Sequence, residues 1–387
     1  MSISIYLKKG EEKRIISGHS WVYANEANKI EGRDKNGSLA SVYSFDGRFI
    51  GKGYINHASK ILVRIFIRGN EIDDKEFYLK RLTDANNYRL KLGYSDNYRV
   101  VFGEADNLPA LIVDKYGDYL VIQCLSLGID MRKDLICDCL KEIFSPRGIY
   151  ERSDVAVRKK EGLPEIKQVL YGEVPDYCPI IENGVKMLVD IKNGQKTGYF
   201  LDQKENRFAA RKYCKGEVLD CFCNSGGFSM NAATVADTVW SCDISELALQ
   251  NVRDNAEANG FKNIKTLQGD VFEVLRNFRR EKRQFDTVIL DPPAFCKTAD
   301  EVKDAYRGYK DINLTAMKIV KSGGFLITCS CSHYMSATLF EKMLTEAAKE
   351  SGRLVRLIEI KSQAPDHPSL LCAEETQYLK FFVLNII

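Results

Sequence analysis

The chain has 387 residues, of which 45% are hydrophobic and 28% are charged, and its formal net charge is +3. This length predicts two or three domains, and this composition is typical of a soluble globular protein. No run approaches the ~18 apolar residues of a membrane helix, and the start of the chain lacks a signal-peptide core. We therefore expect a cytoplasmic protein with no membrane partner.

The twelve cysteines do not have the spacing of a disulfide framework or of a zinc site. No C-x-x-C pair occurs, and the four histidines are scattered at positions 19, 57, 333 and 367. We therefore expect no metal, and we expect most of the thiols to be small buried hydrophobic groups.

Residues 1–72 are predicted to form a small β-barrel, because short strand-like runs such as 61–67 alternate with turn signals such as Asp46-Gly47. Residues 1–70 contain twelve Lys or Arg and six Asp or Glu. This excess of positive charge indicates a polyanion partner, although an ordinary basic surface is the alternative. Trp21, in the run Ser20-Trp21-Val22-Tyr23, offers an aromatic face for RNA, with core packing as the other interpretation.

Residues 73–185 are predicted to form a linker helix and a small α+β middle domain. Asp73, with Glu76 three residues later, is typical of a helix N-cap. Strands are expected at 110–114 and 119–124, followed by a helix. Farther along, Arg152, Arg158, Lys159 and Lys160 could extend a basic groove.

Residues 186–387 alternate between strand-like and helix-like segments, which predicts a Rossmann-like sheet with mostly parallel strands. Open parallel sheets bind ligands at the carboxyl ends of their strands. The polar residues that follow the predicted strands are Asp220, Asp243, Asp270, Asp291 and Cys331.

The turn from Asp220 to Phe228 is rich in glycine, which lets a backbone approach a ligand closely. Asp243 lies 23 residues beyond Asp220, where an acid could bind ribose hydroxyls, a layout that dinucleotide enzymes share. Asp220, at the start of the turn, would repel a pyrophosphate but attract the ammonium of a methionine moiety. The pattern therefore favours S-adenosylmethionine over NAD.

The run Asp291-Pro292-Pro293-Ala294-Phe295 follows a predicted buried strand. Two successive prolines fix the backbone and remove two donors, which leaves a rigid turn rich in carbonyl acceptors. Such a turn can accept hydrogen bonds from the exocyclic amine of a base, and Phe295 could stack on its ring. In an arbitrary protein, the same run is usually a plain turn.

Cys331 ends the next predicted strand, among small polar residues. A cysteine at a strand end is more often structural than catalytic. Carbon 5 of a pyrimidine, however, becomes nucleophilic only after a group such as a thiolate adds to carbon 6. An ordinary thiol with a pKa of about 8.5 would need local activation, whose source the sequence does not show.

These features together resemble the PUA-domain-containing class I methyltransferases of 23S ribosomal RNA, which form 5-methylcytosine. The resemblance covers nearly the whole chain. It is carried most specifically by two strings, Gln195-Lys196-Thr197-Gly198 and Arg307-Gly308-Tyr309-Lys310-Asp311. It implies an α/β protein with a C-terminal class I methyltransferase sheet, preceded by a PUA-like β-barrel that binds RNA and by the middle domain.

The resemblance also implies the site. Cys331 would be the nucleophile, and Asp291 would hold the target base. The residues implied around S-adenosylmethionine are Asp220, Asn224, Gly226, Asp243, Asp270, Asp291, Phe200 and Gln203, and those implied for the substrate are Pro292, Phe295, Trp21 and Arg307. Related RNA cytosine methyltransferases often carry a second cysteine directly after the two prolines. Here Ala294 stands there, and Cys296 is interpreted as a bystander.

Three alternatives stay open at this stage. The Asp-Pro-Pro-x-Phe run also resembles the turn of enzymes that methylate exocyclic amines of purines, in which Cys331 would be idle. An RNA-binding ribosome assembly factor without activity is the second alternative, and an NAD-dependent oxidoreductase is the third. 23S ribosomal RNA is the expected partner, and a homodimer is left open.

Overall fold

The structure is a computed structural model that describes residues 3–33 and 35–387. Its chain forms two units, each taking several segments of the sequence. The first consists of Met1–Ile180, Val189–Leu201 and Pro365–Thr376, and the second of Ile181–Leu188, Asp202–Ala364 and Gln377–Ile387. Within the described residues, no helix is long and apolar enough to cross a membrane.

The first unit begins with a six-stranded mixed sheet in the order β2-β6-β5-β4-β1-β3. Alternate residues of its strands, such as Ile3, Ile5 and Leu7, are buried in one apolar core. A short helix, α1 (Glu12–Ile16), follows the first strand. The strands are β1 (Ile3–Leu7), β2 (Trp21–Tyr23), β3 (Ala27–Glu31), β4 (Leu39–Tyr43), β5 (Phe49–Ile55) and β6 (Ile61–Ile67).

Helix α2 (Lys75–Lys91) is capped by Asp74, whose side chain accepts a hydrogen bond from the backbone N–H of Phe77. The predicted cap at Asp73 is wrong by one residue. The Asp73 carboxylate instead accepts hydrogen bonds from the hydroxyls of Tyr54 and Tyr78 and pairs with Arg132 at 2.7 Å. These three partners hold the carboxylate away from the helix terminus.

A five-stranded sheet in the order β11-β10-β9-β8-β7 completes the first unit, with α2 and α4 packed together beside it. The strands predicted near 110–114 and 119–124 and the helix after them are confirmed. The elements are β7 (Asn97–Phe102), β8 (Leu111–Tyr116), β9 (Tyr119–Cys124), α3 (Leu127–Asp130), α4 (Lys133–Phe144), β10 (Gly148–Ser153) and β11 (Ile166–Gly172). Two further strands, β12 (Tyr177–Glu182) and β13 (Val185–Asp190), pair with each other.

The second unit is built on a seven-stranded sheet in the order β16-β15-β14-β17-β18-β20-β19. The first five strands in chain order run parallel, and β20 is antiparallel to both of its neighbours. The strands are β14 (Glu217–Cys221), β15 (Thr238–Asp243), β16 (Ile264–Gln268), β17 (Phe285–Leu290), β18 (Val320–Ser330), β19 (Val355–Lys361) and β20 (Lys380–Ile386). The helices are α5 (Lys204–Ala210), α6 (Gly227–Ala233), α7 (Glu246–Asn259), α8 (Val271–Arg280), α9 (Val302–Ile319) and α10 (Ala337–Ser351).

The strand order reverses between β14 and β17, because the chain builds the sheet outward from β14 in one direction and from β17 in the other. Ligands of open α/β sheets bind at such a switch point, outside the carboxyl ends of the strands. Asp220 lies at the carboxyl end of β14, and Asp291 directly follows β17. The predicted Rossmann-like sheet is confirmed, and it brings these two acids to one edge.

Candidate active site

The glycine-rich turn after β14 has the backbone that close approach of a ligand requires. Asn224 has a φ of 49° and Gly226 a φ of 83°, both in the left-handed region. A Cβ placed on Gly226 would lie 3.0 Å from Val252 Cγ2 on α7. A larger residue at 226 would therefore be strained in its backbone and crowded by its neighbour.

Asp220 is fully buried beneath this turn. Its Oδ2 accepts a hydrogen bond from the Ser229 hydroxyl at 2.6 Å, and Ser229 in turn contacts Ser241. Its Oδ1 has no hydrogen-bond partner among the residues that the structure describes. Burial, with smaller contributions from Asp291 and Asp243, raises the pKa of Asp220 to about 7. A buried carboxylate oxygen without a donor fits a cationic ligand group.

The next two acids along the sheet edge are oriented by backbone N–H groups. Asp243 accepts hydrogen bonds from the N–H of Asn224 at 3.0 Å and of Ser245 at 2.9 Å, so it fixes the glycine-rich turn to the end of β15. Asp270 caps α8 through Oδ1, which accepts from the N–H of Phe272 at 2.8 Å.

Gln203 joins the carboxyl end of β17 to that of β18. Its side-chain amide donates to Asp291 Oδ1 at 3.0 Å, and it also hydrogen-bonds the Cys329 thiol. Asn206 donates to the Gln203 carbonyl oxygen at 2.7 Å and so fixes the orientation of that amide. The structure thus brings together the predicted residues Asp291 and Gln203.

Cys331 is the first residue after β18, and it is partly exposed. Cys329, two residues earlier, is fully buried, and burial raises its pKa well above the usual value. Of the two thiols in this segment, Cys331 is therefore the one that a substrate can reach. Cys329 instead has the character of a small core residue.

Tyr309 on α9 fixes the segment that carries Cys331. Its buried hydroxyl lies 2.9 Å from the Ser332 hydroxyl and 3.1 Å from that of Ser330. Burial raises the pKa of Tyr309 to about 12, so the phenol stays neutral. This contact gives the Arg-Gly-Tyr-Lys-Asp string a structural role.

Phe295 packs inside a cluster of aromatic rings. Its ring centroid lies 4.6 Å from that of Tyr309 and 5.9 Å from that of Phe272. A Cβ on Gly308 would lie 3.2 Å from the Phe295 ring, which explains the glycine in the same string. Pro292 is buried in the same turn. The stacking of Phe295 on a base stays a prediction.

Cys296 is buried, and its thiol donates to the Thr298 carbonyl at 2.9 Å. Its backbone N–H donates to the Ser332 hydroxyl at 3.3 Å. Burial raises the pKa of Cys296. These contacts support its interpretation as a bystander that packs against the Cys331 segment.

Three residues that were predicted to bind the substrate or the cofactor make contacts with neighbouring side chains of this chain. Arg307 is largely exposed and pairs with Asp304 on its own helix. In the first unit, Trp21 is half-buried, and its indole N–H donates to Glu104 at 2.7 Å. Phe200, in the same unit, has the ammonium of Lys196 over its ring at 4.5 Å.

The suggestion that Arg152 and Arg158 extend a basic groove is wrong. Arg152 is buried and donates to the carbonyls of Ile191 and Gly194. Arg158 is fully buried and pairs with Asp130 at 2.8 Å. Both guanidinium groups donate to backbone carbonyls inside the first unit.

The Gln-Lys-Thr-Gly string also has a structural role. The Thr197 hydroxyl donates to Asp114 at 2.6 Å, and Asp114 forms a buried pair with Arg99 at 2.7 Å. Gly198 has a φ of 125°, and a Cβ there would lie 2.8 Å from the Asp190 carbonyl. The string therefore makes a tight turn on a buried ion pair.

Comparison with known proteins identifies the chemistry. Residues 158–382 match the family of S-adenosylmethionine-dependent methyltransferases, and residues 5–68 match the PUA-like domain. The chain belongs to this methyltransferase family. "Ribosomal RNA large subunit methyltransferase I" of Aeromonas hydrophila is 42% identical over 395 residues, and that of Vibrio cholerae is 42% identical over 397 residues. Each match covers 100% of both chains.

Solved structures agree on the fold of this methyltransferase. A protein from Streptococcus mutans, provisionally named a SAM-dependent methyltransferase, has a TM-score of 0.85 at 21% identity over 100% of both chains. A second structure with the same coverage, solved in complex with SAH, has a TM-score of 0.85 at 20% identity. The methyl donor of the family is S-adenosylmethionine. The unpartnered oxygen of Asp220 and the left-handed turn at Gly226 fit this ligand.

Two residues that hold the Cys331 segment were not predicted from the sequence: Tyr309, and Lys380, whose ammonium donates to the Ser332 carbonyl at 2.6 Å. Tyr309 lies in the Arg-Gly-Tyr-Lys-Asp string, of which only Arg307 is predicted to contact the substrate. Lys380 is a lone charge at the start of the apolar run Phe381–Leu384, and such a charge inside a buried strand was the available signal.

Proposed function

We propose that this methyltransferase acts on large-subunit (23S) ribosomal RNA and forms 5-methylcytosine through a covalent adduct with Cys331. The observation that carries the proposal is the partly exposed Cys331 thiol, one strand away from Asp291 on the edge where the family binds its methyl donor. The names of the relatives support the RNA substrate. The division into residues 1–72, 73–185 and 186–387 is part of this proposal, with the first segment binding RNA.

The proposed cofactor contacts follow the acids of the sheet edge. Asp220 would hold the methionine ammonium, because its Oδ1 is buried without a donor. Asp243 ends β15 and Asp270 caps the helix after β16, and they would face the ribose and the adenine. Asn224 and Gly226 shape the turn, and Gln203 and Phe200 complete the set implied by the resemblance. Bound S-adenosylmethionine supplies an electrophilic methyl group.

The target cytosine must leave its stack to reach the pocket, at a cost of a few kcal/mol. The Cys331 thiolate then adds to carbon 6, and the electron pair of the carbon 5–carbon 6 double bond shifts to carbon 5, delocalised through carbon 4 toward ring nitrogen 3. Asp291 hydrogen-bonds the ring nitrogen or the exocyclic amine of the base, and Gln203 holds that carboxylate in place. Carbon 5 takes the methyl group as the bond from that methyl to the sulfonium sulfur breaks, which leaves S-adenosylhomocysteine. Transfer of the carbon 5 proton to a base, water in the simplest case, then restores the double bond and expels the Cys331 thiolate.

Pro292 and Phe295 would shape the base pocket, while Trp21 and Arg307 would contact more distant parts of the RNA. Trp21 keeps one ring edge bound to Glu104, so its contribution would come from a ring face. The exposed side chain of Arg307 suits a phosphate contact.

The test is methylation of 23S ribosomal RNA with labelled S-adenosylmethionine, followed by nucleoside analysis. We expect 5-methylcytidine from the wild type, and a loss of at least about a thousandfold in turnover in Cys331→Ala. Binding of the methyl donor should stay close to wild type in that variant. Label in a purine amine, with Cys331→Ala fully active, would contradict the proposal and favour exocyclic-amine methylation. The matched control is Cys372→Ala, because Cys372 is the other partly exposed thiol.

A further inference from the structure

Lys380 is a buried lysine at the start of β20, where it has about 7% of its surface exposed. The antiparallel pairing of β18 and β20 sets Lys380 opposite Ser330, the last residue of β18. The residue that follows Ser330 is Cys331. The backbone register therefore brings this lysine to the segment that carries the proposed nucleophile.

The Lys380 ammonium binds two backbone carbonyls. It donates to Ser332 O at 2.6 Å and to Tyr378 O at 2.7 Å. Among residues 3–33 and 35–387, no carboxylate forms an ion pair with it. A buried charge without an opposite charge is costly, so a buried lysine of this kind calls for an explanation beyond packing.

Tyr309, Cys329 and Asp291, three other titratable groups near Cys331, do not supply a positive charge. Burial raises the pKa of Tyr309 to about 12 and that of Cys329 well above its usual value, so both are neutral near pH 7. Asp291 is a carboxylic acid, so it cannot supply a positive charge; together with Cys331 it raises the pKa of Cys329. Burial lowers the pKa of Lys380 to about 8, while the charge of Cys331 acts in the opposite direction. Lys380 therefore still carries its proton at neutral pH.

We propose that Lys380 is a positioning residue for Cys331, because its ammonium fixes the carbonyl of Ser332 and stabilises the neighbouring thiolate by its charge. This inference rests on the proposed function, in which that thiolate attacks carbon 6. It supplies the local activation that an ordinary thiol lacks at neutral pH. Lys380 takes no part in bond formation, and it acts only through Cys331.

Two substitutions separate the charge from the hydrogen bond. Lys380→Gln keeps a side-chain amide that can donate to the Ser332 carbonyl, but it removes the charge. Lys380→Arg keeps both the charge and the donors. A purely structural Lys380 would leave the reactivity of the Cys331 thiol unchanged in folded Lys380→Gln, whereas an electrostatic role would lower it.

The test measures alkylation of the full-length enzyme by iodoacetamide between pH 5.5 and 10, with the modified peptides quantified by mass spectrometry. Cys372 is the internal reference, because it is the other partly exposed thiol. In Lys380→Gln, we expect the pH midpoint for Cys331 to rise by about one unit, so its rate at pH 7 falls roughly tenfold. The pH midpoint for alkylation of Cys372 should not change, and Lys380→Arg should keep most of the wild-type alkylation rate at Cys331.

An unchanged Cys331 midpoint in Lys380→Gln would overturn the inference, as would an equal shift of both thiols. If Lys380→Gln does not fold, the wild-type enzyme still decides, because its Cys331 midpoint must then lie below that of the same thiol in the urea-unfolded enzyme. This readout is independent of methylation. Full activity of Cys331→Ala would overturn the proposed function, whereas a Lys380 effect on alkylation would still be measured.

Discussion

The Tyr309 hydroxyl lies 2.9 Å from the Ser332 hydroxyl and 3.1 Å from the Ser330 hydroxyl, so one phenol on α9 contacts both residues that flank Cys331. Lys380 binds the same segment from β20, through the Ser332 carbonyl. The nucleophile of the proposed reaction thus lies on a short segment held from two sides. Positioning of this kind is what precise attack on a substrate requires.

Tyr309→Phe removes both hydrogen bonds while keeping the ring that packs on Phe295. We expect a loss of about 1–3 kcal/mol in the free energy of unfolding, because the buried serine hydroxyls lose their partner. We also expect a turnover at least about tenfold lower, with the affinity for S-adenosylmethionine nearly unchanged. Thermal unfolding, donor titration and methylation assays measure the three quantities.

The matched control for Tyr309→Phe is Tyr334→Phe, an exposed tyrosine three residues after Cys331. It should leave stability and turnover close to wild type. A Tyr309→Phe enzyme with normal turnover would show that the hydroxyl does not position Cys331.

The affinity for S-adenosylmethionine should rise with pH. Asp220 has a pKa of about 7 in the folded protein, raised by burial, and only its ionised form attracts the donor ammonium. We therefore expect affinity to increase between about pH 6 and pH 8, and Asp220→Asn to bind weakly with little dependence on pH. Calorimetric titration across this range is the measurement. A wild-type affinity that is flat over the interval would contradict the assignment of Asp220 to the ammonium.

The Asp220 carboxyl also makes the stability of the ligand-free protein depend on pH. The folded-state pKa of Asp220, about 7, exceeds its ordinary value of 3.8, so the folded state retains a proton that the unfolded state releases. Its contribution to stability is therefore fully present below about pH 4 and is lost as the pH rises through 7. Asp220→Asn should be less sensitive to pH over this interval in urea denaturation, and an identical dependence in both proteins would contradict the raised pKa.

RNA binding should depend on the exposed lysines of the PUA-like domain. Lys8, Lys9 and Lys13 are exposed, and they form no ion pair among the residues that the structure describes. Replacing all three by Gln should weaken binding to 23S ribosomal RNA and reduce the slope of log affinity against log salt by about one to three. Filter binding at several salt concentrations measures both effects.

The control for the lysine variant changes the net charge equally. Lys262, Lys342 and Lys349 are exposed lysines of the second unit, and their joint replacement by Gln should affect RNA binding much less. Equal losses from the two triple variants would indicate a general charge effect rather than binding by the PUA-like domain.

The fold could be predicted from the sequence wherever local pattern determines it. The β-branched runs at 287–290 and 325–328 lie within strands β17 and β18, and the acids expected at the sheet edge lie at or beside strand ends. The cap of α2 could not be predicted, because the tertiary partners of Asp73 decided between two adjacent aspartates.

Within the site, the residues that follow the strands could be predicted from their positions in the sequence. The side chains that hold those residues in place could not. Lys380 is separated from Cys331 by 49 positions and reaches it only through the pairing of β18 with β20. For Arg158, the sequence predicted a functional role that the structure does not bear out. Its charge indicated a surface groove, yet the fold buries it against Asp130 and backbone carbonyls.

The most direct test of the central claim is covalent trapping of Cys331 on RNA that contains 5-fluorocytosine, in the presence of S-adenosylmethionine. Fluorine cannot leave carbon 5 as a proton does, so methylation should leave the thiol attached to carbon 6. We predict a denaturant-stable RNA–protein adduct whose cross-linked peptide contains Cys331, absent in Cys331→Ala and retained in Cys372→Ala. Methyl transfer to natural RNA by the same wild-type preparation, with no adduct on the fluorinated RNA, would contradict the account.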